Sequence, residues 1–88
     1  MAVFVSQRIL EGEEWVYYVR HDDDDGAWLF HPKSGITPES EMRVVGLDAL
    51  VELDPTIVAL ADLPLGWCAW REEPGAEWVR AETDNPRE

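Results

Sequence analysis

The chain is 88 residues long and 45% apolar, with 19 acidic against 7 basic side chains and a net charge of −12. That length holds one domain and leaves no room for two, and the apolar share is too high for a disordered chain. The acidic balance argues against nucleic acid and anionic membrane as partners, because their binders are basic.

In chain order, Ala2 to Val5 has β character, and Ser6 can cap a helical turn from Gln7 to Glu11 that Gly12 closes. Glu13 to Arg20 reads as a strand with Trp15, Tyr17 and Val19 on one face and Val16 and Tyr18 on the other. Asp22 to Gly26 interrupts it. Asp25-Gly26 is a hairpin signal, because both residues tolerate positive φ, and Ala27 to His31 is the returning strand. Pro32 to Glu41 is a polar loop, and Met42 to Gly46 is a short strand.

At Leu47 the apolar period changes from two to that of a helix, through Leu47, Leu50 and Val51. Asp54 can cap a second helical piece with Pro55 at its first position, and Ile57, Val58, Leu60 and Ala61 form its apolar face. Pro64 and Gly66 end it. Trp67 to Arg71 and Glu77 to Ala81 then form a second hairpin around Pro74-Gly75. The expected fold class is α+β: a mostly antiparallel sheet of hairpins with a helical segment, about 47–63, packed on one side. Residues 1–81 make one domain and 82–88 a frayed polar tail. Of the five Trp, Trp15, Trp28, Trp70 and Trp78 are expected in the core. Trp67 is expected to be the exposed one, an anchor for a protein partner.

Catalytic and metal signatures are weak. If Gly26 is the sixth position of a calcium loop, Asp23 and Asp25 fit, but His21 and Pro32 stand at the first and twelfth, where oxygen ligands are needed. His21 and His31 flank the hairpin without the further ligands a zinc site requires. Cys68, between Trp67 and Ala69, reads as an inert buried thiol. The pairs Glu13-Glu14 and Glu72-Glu73 point to opposite sides of a strand, so neither forms one acid–base site. No enzyme activity, cofactor or metal is therefore expected. A single cysteine allows no internal disulfide, which suits a reducing cytoplasm. The N-terminal residues carry no secretory leader pattern, and no apolar run approaches the ~20 residues of a membrane span.

Several stretches resemble a bacterial family of polymorphic toxin systems, immunity protein family thirty-three, once described as a domain of unknown function. They are Val5-Ser6 with Ile9-Leu10-Glu11-Gly12, Tyr17 to Arg20, Asp25 to Phe30, Leu47 to Leu50, Asp54 to Leu60 and Leu63 to Gly66. The chain departs from the family at His31-Pro32-Lys33-Ser34-Gly35, where similar proteins carry a more acidic turn. The resemblance implies a non-catalytic role, neutralising a toxin domain by binding it.

Two functions follow as expectations. In the first, a cytoplasmic immunity-type protein, a monomer or weak dimer, holds a basic toxin domain through an acidic surface. That surface centres on Asp22, Asp23, Asp24 and Asp25, with Trp67 as the apolar anchor. In the second, a stand-alone regulatory or interaction domain is acidic only for solubility, and the Asp22 to Asp25 loop is a solvated turn.

Overall fold

A computed structural model of the chain describes residues 2–24, 26–33 and 38–82. Ser6 does cap the first helical turn. Its side chain accepts from the Arg8 amide at 3.2 Å, and α1 (Gln7–Leu10) follows β1 (Ala2–Ser6) directly. Gly12, at φ +80°, takes the left-handed conformation that lets the chain leave α1. Next come β2 (Tyr18–His21), β3 (Trp28–His31) and β4 (Met42–Gly46).

The helical stretch beginning at Leu47 is split in two. α2 (Leu47–Leu53) is followed by a 3-10 segment, Pro55–Leu60. Asp54 breaks the α geometry between them and caps the second piece through the Thr56 amide, 3.1 Å away. β5 (Trp67–Trp70) and β6 (Val79–Glu82) complete the chain of elements.

The class is α+β with one six-stranded sheet, mostly antiparallel, in the order β4-β1-β3-β2-β5-β6. Two features differ from the expectation. β1 enters the middle of the sheet and pairs parallel to β3, with Phe4 beside Leu29 and Val5 beside Phe30. Such pairing joins distant segments and leaves no local period to read. The first aromatic strand also starts at Tyr18 rather than near Trp15. Val16 and Val19 are both buried; three apart, they break the alternation of a continuous strand. The Val16 carbonyl accepts from Arg71 Nε at 2.9 Å, and the Trp15 ring lies 5.7 Å from the Arg71 guanidinium.

Register places whole rows of side chains on each face. One row runs Arg43, Val5, Phe30, Val19, Ala69, Arg80 across all six strands. Its four central residues are buried and share one cluster with Ile9, Leu50, Ile57, Leu60 and Leu63. Its two ends are arginines with polar partners. Arg43 donates to the Ser40 carbonyl at 2.9 Å and to Gln7 Oε1, and Arg80 donates to Asp62 Oδ1 at 2.8 Å and to the Ala59 carbonyl. The neighbouring row on the opposite face runs Val44, Phe4, Leu29, Arg20, Cys68, Ala81. There Val44 is 61% and Phe4 38% exposed.

Candidate functional site

The expected acidic site begins where β2 ends. Asp22 donates its amide to the Ala27 carbonyl at 2.8 Å, and its carboxylate accepts from the Asp24 amide at 2.9 Å. Gly26 donates to the Asp22 carbonyl. Asp22 is therefore partly occupied in shaping the turn, while Asp23 and Asp24 are exposed. Asp25 lies outside the described residues. The loop is wider than a two-residue hairpin, since the last paired residues are His21 and Trp28.

The turn before β5 lies against this loop. Gly66 has φ +81°, and a Cβ there would stand 3.4 Å from Asp23 Cβ. Any other residue at Gly66 would be strained by the backbone, while its Cβ would rest in ordinary contact with Asp23.

Trp67 is not the exposed tryptophan. It is half-buried and packs against the core cluster, as Trp78 does. Trp70 lies on the opposite face with Tyr18, its partner in register, rather than in the core. The reason is the odd spacing of three between the two tryptophans along one strand, which sends their side chains to opposite faces. Trp15 likewise lies over Arg71 beside the core. Trp28 is buried, as expected.

His21 and His31 do not approach as ligands. His21 pairs with Trp28 at one end of the hairpin and His31 with Tyr18 at the other. His21 stacks on Trp28 with ring centroids 3.9 Å apart, and its Nδ1 lies 2.8 Å from the Leu63 carbonyl. Among the described residues, no three His, Cys, Asp or Glu side chains gather as a metal site would require. Also among them, no helix is long and apolar enough to cross a membrane.

Two places merit chemical scrutiny. The first surrounds Arg71, which is 1% exposed. Its three guanidinium nitrogens reach the Val16 carbonyl (2.9 Å), Thr56 Oγ1 (2.8 Å) and Asp54 Oδ2 (2.8 Å). The Trp78 ring covers it at 4.3 Å. An open cleft of about 270 Å³ runs beside it, lined by Trp15, Leu53, Thr56 and Pro74 among others. Because each nitrogen already has an acceptor, this arginine joins β5 to the 3-10 segment and the strand entry. It is not poised for an incoming anion.

The second is the face carrying Leu29, Arg20 and Cys68, with His31, Tyr18, Trp70 and Val79 in the next row. No acidic residue occurs in either row, although the chain holds 19. Burial and a hydrogen bond with Cys68 push the Tyr18 hydroxyl up to about 12. Burial, and secondarily the Arg20 charge, hold His31 below its ordinary value, which favours the neutral ring. The Tyr18 and His31 rings stack 6.0 Å apart. Arg20 Nε is shut off from solvent and meets no acceptor among the described residues. The chain thus presents a sheet face that is apolar, aromatic, partly dry at its centre, and charged at one point.

None of these residues was expected in a partner-binding site, although a signal was present. Tyr18 and Arg20, Leu29 and His31, and Cys68 and Trp70 are the alternate positions of three strands, and none is acidic. Compared with known protein families, curated proteins and solved structures, the chain finds no match.

Proposed function

We propose that the protein is a non-catalytic binding protein that docks another protein on the face carrying Phe4, Leu29, Arg20 and Trp70. The observation that carries this reading is the absence of acidic residues from the two described rows of that face in a chain of net charge −12. A solvated sheet face normally alternates with polar residues, and large exposed apolar patches mark interaction sites. Val44, Val79 and Phe4 remain 61%, 48% and 38% exposed there. In this reading the helical segment 47–63 covers one side of the sheet and leaves the other for the partner.

The acidic remainder then selects and steers. The Asp22 to Asp25 loop begins two residues beyond Arg20, and it would raise the association rate with a partner that is basic around its contact surface. An immunity-type protein holding a toxin domain in the cytoplasm is the specific form of this proposal, supported by the sequence resemblance and the charge. A stand-alone interaction domain is the alternative, and the face would serve it equally.

The test is affinity capture with the parent protein and two variants. Leu29→Asp with Val44→Asp alters the acid-free face, and Val58→Asp alters an apolar residue of similar exposure on the 3-10 segment. The reading expects a protein retained by the parent and by Val58→Asp but lost from the double variant. Retention by all three would contradict it.

A further inference from the structure

Resting on that docking reading, we infer that the partner is a protein segment presenting one carboxylate to Arg20 between flanking apolar side chains. Arg20 is the only charged residue in its row across all six strands, and it stands near the middle of that row. Its Nε is removed from water and meets no acceptor among the described residues. A cation set among apolar residues, with no acidic residue in either row, is complementary to a carboxylate, which the guanidinium can hold by a charge-assisted hydrogen bond. Tyr18 and His31 beside it offer no anion at neutral pH, since one stays protonated and the other neutral.

The same observations speak against a second copy of this chain. Two copies meeting on this face would bring one Arg20 toward the other with no carboxylate in either row. A single-stranded nucleic acid could stack on Tyr18 and Trp70, but the net charge of −12 opposes its phosphates.

The experiment uses amide chemical shifts of the isotopically labelled whole chain. The probes are three amidated five-residue peptides, each with two Leu and two Phe around a central Glu, Gln or Lys. The Glu peptide is expected to shift the amides of Tyr18, Arg20, Leu29 and Cys68, and to bind about tenfold more tightly than the Gln peptide. Arg20→Gln should abolish that preference, and Arg20→Lys should keep part of it; the variants' own amide spectra report whether each is folded. Equal binding of the Glu and Gln peptides would overturn the carboxylate inference and leave the docking reading standing. Absence of shifts on this face with any peptide would overturn both. Movement of the same amides by oligothymidine, or a concentration-dependent dimer in sedimentation that buries the face, would replace the proposed occupant and overturn the inference.

Discussion

Two neighbouring rows of the same sheet are built on opposite plans. The row through Val5, Phe30, Val19 and Ala69 is apolar at the centre and ends in arginines that reach carboxylate, carbonyl or amide oxygens. The row through Phe4, Leu29, Arg20 and Cys68 is apolar toward its ends, with an arginine near its centre whose Nε has no acceptor among the described residues. In the first, charge sits where water and partners satisfy it, and the apolar middle stabilises the fold. In the second, charge sits where the fold gains least from it. Arg71 sharpens the contrast: it is more buried than Arg20, yet each of its nitrogens is bonded. Burial of an arginine is thus compatible with stability when its donors are met, and Arg20 departs from that rule on the face proposed for binding.

The comparison can be broken most forcefully from the core side. Trp28→Ala should cost on the order of 3–5 kcal/mol, the usual loss for a buried large aromatic. In a domain this small that is much of the total stability. Arg71→Met should cost about 3 kcal/mol, because it leaves Asp54 and the Val16 carbonyl without their cation. Denaturant unfolding measures both. A loss below about 1 kcal/mol for either would mean that the buried side does not hold the fold as described.

Arg20→Met should behave differently. With no bonded partner for Nε to lose among the described residues, stability should be unchanged or higher by up to about 1 kcal/mol. A large loss in the same unfolding experiment would mean that Arg20 has a structural partner after all.

The pH response should carry a smaller mark of the same face. His31 has a folded-state value below the unfolded one, so the unfolded chain takes up its proton first as pH falls. The His31 contribution to stability should be present above about pH 6.5 and lost as the pH drops below it. Thermal unfolding between pH 7.5 and 5.5, for parent and His31→Gln, checks this. The parent should lose more stability than the variant over that range, and equal losses would refute the assignment.

The smallest expected effect on stability lies at the acidic loop. Replacing Asp22 to Asp25 by Asn should change unfolding free energy by no more than about 0.5 kcal/mol. It should instead slow association with the captured partner, and added salt should shrink the difference. An unchanged rate at low salt would make the loop only a solvated turn.

Much of this architecture could be read locally. The Ser6 cap, the Gly12 exit, the Met42–Gly46 strand and the Asp54-Pro55 restart each rest on a few adjacent residues whose backbone preferences agree. The parallel seat of β1 beside β3 could not be read that way, because it depends on which distant segments meet. The 3-10 form of Pro55–Leu60 was also hidden, since its apolar spacing suits either helix. The tryptophans show a different kind of miss. Trp67 and Trp70 had to lie on opposite faces once they shared a strand, but spacing alone does not say which face is buried. Likewise, nothing around Arg71 announces that it will be enclosed by Asp54 and Thr56, which precede it by a whole strand and turn, together with Trp78. The acid-free alternation around Arg20 was visible in the residues; its meaning appears only when register lines the strands into one row.

The most direct measurement of the central claim is site-specific photo-crosslinking in cells that contain the partner. A photoreactive phenylalanine analogue would be placed at Val44, on the acid-free face, or at Val58, on the 3-10 segment; the two positions are 61% and 55% exposed. The account expects a crosslinked protein from position 44 and little or none from position 58, with the position-44 product lost when Arg20→Gln and Leu29→Asp are added. Equal crosslinking from both positions, or crosslinking from position 58 alone, would contradict it.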